Sequence, residues 1–194
     1  MDTTEAESQD RADMARLVGG HEAALNALMD RHAAGVFHFL CRMLGNEDDA
    51  NDLAQEAFVR VYRARESYQP AQKFSTWLFT IAANLARNQL RWRSRHPHIS
   101  LDAKSESTEP SLGDILAAVA PTPHQSADEA ERAQSVRAAV QALPHDLREA
   151  IVLCEWEDLP VAEAATVLST TPKAVESRLY RARKLLRDRL SRCL

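Results

Sequence analysis

Glycine is scarce in this chain, five in 194 residues, and aromatic residues make up only 6% of it. Sheets draw on glycine-bearing hairpin turns and on aromatic and β-branched strands, so the shortage counts against them. Cysteine is scarce too: Cys41, Cys154 and Cys193 form an odd, widely spaced set without a C-x-x-C. That argues against a disulfide framework and a zinc site, and predicts reduced thiols. No apolar run approaches the roughly twenty residues that span a bilayer. The opening MDTTEAESQD is acidic where a secretory leader is basic, so the expectation is a cytoplasmic chain with no membrane insertion. There is no P-loop, no G-x-S-x-G and no glycine-rich nucleotide cradle. His96-Pro97-His98 is the nearest approach to a metal motif, and it lacks a neighbouring carboxylate or thiolate. The sequence therefore predicts no catalytic residue, no metal and no cofactor.

What is abundant is alanine, leucine, arginine and glutamate at helical spacing, which predicts an all-α fold. The net charge of -4 conceals a strong segregation. Residues 173 to 194 carry eight Lys or Arg against Glu176 and Asp188, whereas residues 47 to 56 carry five carboxylates and no base.

The segment Phe74 to Arg95, FSTWLFTIAANLARNQLRWRSR, lays two surfaces on one helix. Leu78, Phe79, Ile81, Ala82, Leu85, Leu90 and Trp92 spread over an apolar arc, and Trp77, Thr80, Asn84, Arg87, Asn88, Arg91 and Arg95 occupy the remainder. Arginines, asparagines and an indole, with no carboxylate in the segment, suit phosphates and unstacked bases. Nucleic acid is the partner this surface implies.

Upstream, Asp10 to Val18 reads as a short helix broken by Gly19-Gly20, and a long core-facing helix ends at Gly45. Asn46 is placed to cap a third helix running to about Arg65, and Pro70 marks a turn within SYQPAQK. Residues 10–95 thus form one helical bundle. Periodicity collapses over 96–127, where prolines mix with Asp102, Glu106, Glu109 and Asp114; this predicts a flexible acidic linker. Helical pattern resumes for a second small domain, 128–194.

Within that domain, Val161 to Leu168, the turn Ser169-Thr170-Thr171 and the basic run from Pro172 to Leu190 have a helix-turn-helix layout. Ala162, Ala165 and Val167 are small enough for two helices to cross, Val175, Leu179, Ala182, Leu186 and Leu190 face inward, and Thr171 can cap. Lys173, Ser177, Arg178, Arg181 and Lys184 are expected outside, where arginine can bond guanine in a bidentate manner. Ser169 stands where such turns often carry glycine, and Glu176 places a carboxylate among the bases.

In three ordered blocks, DDANDLAQEAFVRVYRA, KFSTWLFTIAANLARNQLRWRSR and LPVAEAATVLSTTPKAVESRLYRARKLLRDRL, the chain resembles bacterial sigma factors of the extracytoplasmic-function class. The resemblance implies a dissociable initiation subunit that binds RNA polymerase core and promoter DNA. It places Asp52, Gln55, Glu56, Val59 and Arg63 on the clamp helices of the largest polymerase subunit, with the C-terminal domain on the flap. Tyr68, Gln69, Lys73 and Asn84 match positions holding a flipped base of the −10 element, and Trp77, Arg87, Asn88 and Arg91 extend that surface. Thr171, Lys173, Ala174, Ser177, Arg178 and Arg181 match positions facing the −35 element. The family also implies an anti-sigma protein as a partner, and the acidic linker fits a basic polymerase channel. The alternative is a stand-alone helix-turn-helix regulator, which calls for a dimer on a two-fold site; no dimerisation helix is evident.

Overall fold

The computed structural model describes residues 3–96 and 127–191, and among these every regular element is a helix. α1 (Thr3–Val18), α2 (Ala23–Leu44), α3 (Glu47–Arg63) and α4 (Phe74–Arg95) form an N-terminal bundle, with a 3-10 turn at Arg65–Ser67. α5 (Ala127–Gln141), α6 (His145–Glu155), α7 (Val161–Val167) and α8 (Pro172–Leu190) form the C-terminal module. The linker and Cys193 lie outside the described residues; Cys41 and Cys154 are free thiols.

Local chemistry sets the boundaries. Gly45 ends α2 at φ 70°, a left-handed conformation that costs a side-chain-bearing residue about 1–2 kcal/mol. Asn46 then accepts a hydrogen bond from the Asp49 amide at 2.8 Å, with Glu47, Asp48 and Asp49 in the first turn favoured by the helix dipole. α3 stops at Arg63 rather than Arg65, because the chain tightens into the 3-10 turn.

α1 starts at Thr3, not Asp10, and its added turns meet the bundle through Glu7, 2.6 Å from Lys73 Nζ. Beyond Met14 and Leu17 it is held to the bundle by a buried polar clasp rather than by an apolar stripe. Arg31 donates to Asp10 at 2.9 Å and to Asp13 at 2.6 Å, and His32 Nε2 meets Asp10 at 2.8 Å. Burial by itself would raise the Asp10 carboxyl, yet the hydrogen bonds and charges of His32 and Arg31 hold it below its ordinary value.

Phe39, Phe58, Phe74, Leu28, Leu40 and Leu78 fill the bundle core, each stabilising it by about 1.5–3 kcal/mol relative to exposure. That core does not end at the domain boundary. The apolar cluster continues through Leu143, Leu147, Ile151, Leu153, Ala164, Val167, Val175 and Leu179, because α7 lies against α4 while α5 and α6 lie against α2. Arg148 of α6 is buried and reaches Met43 O of α2 at 2.6 Å, Leu143 O at 3.1 Å and the Gln141 carbonyl. Gln141 donates to Arg42 O at 2.6 Å, so carbonyls at the end of α2 are capped by the other module.

Candidate nucleic-acid interface

Of the apolar arc of α4, Leu78, Phe79, Ala82 and Leu85 are buried and Ile81, Leu90 and Trp92 half-buried; of the other face, Asn84, Asn88, Arg91 and Arg95 are exposed and Trp77, Thr80 and Arg87 half-buried. Along the exposed strip, Arg91 donates to Asn88 Oδ1 at 3.0 Å and to Arg87 O at 3.3 Å, so these polar groups are ordered by bonds within the helix. Trp77 is half-buried, in an aromatic cluster with Tyr68 at 5.2 Å and Phe74 at 6.2 Å. Tyr68 donates its hydroxyl to Gln72 O at 2.7 Å, which braces the loop before α4; Gln69 is exposed in that loop.

Beside this cluster a surface cavity of about 350 Å³ is lined by Arg60, Arg63, Ala64, Trp77, Ile81 and Asn84. It combines an indole wall, an amide able to read a base edge and two guanidinium groups able to meet phosphate. Arg63 therefore stands at a corner, on the outer face of α3 and on the cavity rim. Arg60 was not among the expected site residues. It also pairs with Glu56 at 2.8 Å, one helical turn away, and its spacing from Arg63 and Ala64 was the available signal.

Asp52, Gln55, Glu56, Val59 and Arg63 share one face of α3, and Val59 is 41% exposed there. Lys73 and Arg87 are placed differently from their neighbours. Lys73 Nζ contacts Glu7 at 2.6 Å and Glu163 at 2.8 Å, and Arg87 Nε contacts Glu149 at 2.7 Å. The nominal DNA-facing strip is thus partly occupied by the C-terminal module.

In that module Thr171 caps α8, its hydroxyl accepting from Ala174 N at 3.2 Å, with Pro172 in the first turn. Ser169 sits at φ 50°, the left-handed geometry that the turn demands and glycine would adopt without strain. Ala164, Ala165 and Val167 are the buried small residues of α7; Ala162 is exposed, so Ala164 takes the place expected for it. Lys173, Ser177, Arg181 and Lys184 are exposed as predicted, and Ala174 is half-buried beside them. Arg178 instead turns toward α6, 3.9 Å from Asp146, because its position borders the buried Leu179. Tyr180 escaped the sequence reading and is 72% exposed on the same face as Ser177. An aromatic outside the apolar stripe was the signal for it, and its ring offers apolar contact to a thymine methyl.

Among the described residues no group of His, Cys, Asp or Glu could hold a metal ion, and no helix is long and apolar enough to cross a membrane.

Two family descriptions match the chain, Sigma-70 region 2 over residues 28–96 and Sigma-70, region 4 over residues 133–186. The RNA polymerase sigma-H factor of Pseudomonas aeruginosa is 33% identical over 180 residues, covering 93% of each chain. The ECF RNA polymerase sigma factor SigE of Mycolicibacterium smegmatis is 35% identical over 176 residues, which span 89% of this chain and 65% of that protein. Among solved structures, CnrH in complex with the cytosolic domain of CnrY aligns at a TM-score of 0.70 and 27% identity, covering 94% of this chain and 97% of that one. RpoE of Bartonella quintana, in complex with the anti-sigma factor NepR, aligns at 0.67 and 25%, covering 86% and 96%. With both matched regions in order and relatives that parallel it nearly end to end, the chain belongs to the extracytoplasmic-function class of RNA polymerase sigma factors, which are transcription initiation factors and not enzymes.

Proposed function

We propose that this sigma factor divides its work between an N-terminal domain, 10–95, and a C-terminal domain, 128–194, joined by an acidic linker over 96–127. The outer face of α3, with Asp52, Gln55, Glu56, Val59 and Arg63, docks on the clamp helices of the polymerase core, and the C-terminal domain docks on the flap. Tyr68, Gln69, Lys73, Trp77, Asn84, Arg87, Asn88 and Arg91 bind the −10 element, and Thr171, Lys173, Ala174, Ser177, Arg178 and Arg181 bind the −35 element. The chain works in the cytoplasm, where an anti-sigma protein holds it inactive.

The observation that carries this reading is the cavity bounded by Trp77, Ile81, Asn84, Arg60 and Arg63 on the face of α4. Extruding a base from a duplex costs a few kcal/mol. A chain with no energy-coupled chemistry lowers that cost by offering the extruded base a ready-made surface, and an indole beside an amide is such a surface. Of the α8 residues, Lys173, Ser177 and Arg181 are best placed for a major groove, whereas Arg178 must swing from Asp146 to reach a base.

Asn84→Ala tests the assignment. Holoenzyme carrying it is expected to bind core normally and to lose reactivity of promoter thymines toward permanganate. Unchanged reactivity would remove Asn84 from the melting surface. The stand-alone regulator predicts that isolated promoter duplex binds equally well with and without core, which a gel-shift series compares directly.

A further inference from the structure

Two of the cations assigned to the −10 element, Lys73 at the start of α4 and Arg87 within it, already hold carboxylates of the same chain. All three nitrogens of the Arg87 guanidinium are engaged: Nε with Glu149 Oε1 at 2.7 Å, Nη1 with Asn84 Oδ1 at 2.8 Å and Nη2 with Val167 O at 3.2 Å. Glu163 receives Lys73 Nζ at 2.8 Å on one oxygen and the Thr76 hydroxyl at 2.9 Å on the other. Two of these acceptors, Glu163 and Val167 O, belong to the first helix of the helix-turn-helix, and Glu149 to the helix before it. A carboxylate accepting from a lysine and a hydroxyl, and another accepting from an arginine, reproduce the contacts that phosphate oxygens would make. Glu149 is 5% exposed, and desolvating such a group is costly unless a cation faces it.

Other surfaces escape this occupation. On the outer face of α3, Asp52, Gln55, Val59 and Arg63 stay exposed, as do Lys173, Ser177, Tyr180, Arg181 and Lys184 of α8. Closure therefore engages part of one of the three proposed working surfaces, at Lys73, Thr76 and Arg87.

We propose that the C-terminal module is a built-in inhibitor of the melting helix: Glu149 and Glu163 act as phosphate stand-ins on Arg87, Lys73 and Thr76, and the modules must part before α4 can bind promoter DNA. The inference rests on reading α4 as a DNA-binding surface. Closed chain can still load on core through α3, so loading precedes opening. In the free chain, affinity for the DNA of the −10 element is reduced in proportion to the open fraction, while affinity for the −35 duplex is not.

The test uses the full chain carrying Glu163→Gln, a near-isosteric change that removes the charge facing Lys73 and the Thr76 hydroxyl; Glu149 stays in place, because burial raises its carboxyl and its neutral form would favour closure. Fluorescence anisotropy is read with a labelled random-sequence single strand of about 12 nucleotides and with a random-sequence duplex. A control chain carries Asp30→Asn, which removes one negative charge at an exposed position elsewhere. The Gln chain is expected to bind the single strand at least about fivefold more tightly than the unaltered chain, with duplex binding changed by less than about twofold and the control near wild type. No gain for the single strand, or an equal gain for duplex and control, overturns the latch. Small-angle scattering of the unaltered chain gives a second measurement that needs no variant. Saturating single strand should enlarge the radius of gyration, and unchanged dimensions with DNA bound would overturn the proposal. If holoenzyme melts promoters normally while the Gln chain gains nothing, the latch alone falls. If holoenzyme fails to melt promoters, the reading of α4 itself falls.

Discussion

The outer faces of α3 and α4 lie side by side on one bundle, yet the C-terminal module treats them oppositely. Across α3, Asp52, Gln55 and Val59 are exposed and the charged contact on that face is the local Glu56–Arg60 pair. Across α4, Lys73, Thr76 and Arg87 are bonded to Glu163 and Glu149 of the other module. Charge explains the choice. α4 contains no carboxylate, so it attracts an acidic surface; the acidic start of α3 does not. A surface rich in cations and free of carboxylates is the one that acidic residues of the neighbouring module meet.

The largest expected effect comes from removing the residue that ties the modules at the far end of the same interface. Arg148→Met leaves the carbonyls of Met43, Leu143 and Gln141 without their donor and should lower stability to urea by about 3 kcal/mol. An unchanged urea midpoint would mean that water replaces the guanidinium at no cost. On the uncovered face, Val59→Asp should weaken binding to polymerase core by about tenfold, or about 1.4 kcal/mol, with no change in the urea midpoint. Equal loss of core affinity and stability would show that α3 is not a separate working surface.

The smallest effect is a pH response. Glu157 is seated against α2 at Gly35, with Arg42 at 3.4 Å and Asp158 next to it, and burial pushes its carboxyl up to about 7. A carboxyl raised in the closed form binds a proton there more readily than in the open form. Closure should therefore strengthen as pH falls through about 7, with the gain complete near the ordinary carboxyl value. The window to examine therefore runs from about pH 8, above the raised value, down to about pH 5, near the ordinary carboxyl value. Scattering dimensions of the free chain should shrink across that window and Glu157→Gln should reduce the change, with the buried Glu149 carboxyl, also raised, supplying the rest; a pH-independent profile in the unaltered chain would remove both from the interface balance.

The helices themselves were legible because their signals are short-range. The Asn46 and Thr171 caps, the Gly45 stop and the apolar stripe of α4 each depend on neighbours within a few residues. α1 was read too short because its first turns carry no apolar stripe and meet the rest of the bundle through Glu7 and Lys73, far apart in sequence. Arg178 was read as outward-facing because a helical wheel ranks it with Arg181, whereas Asp146 on another helix decides its direction. Likewise Glu149 and Glu163 look like ordinary acidic residues until the fold sets them against Arg87 and Lys73.

By itself the sequence determined the all-helical architecture, the caps and turns, the two basic surfaces and the family to which the chain belongs, since each rests on periodicity or on ordered local motifs. Only the tertiary structure decided that the two modules share a continuous apolar core, that a cavity opens beside Trp77 and Asn84, and that part of the basic surface of α4 meets carboxylates of the other module. Residue type fixes what charge a side chain carries; which opposite charge it meets depends on how distant segments are brought together.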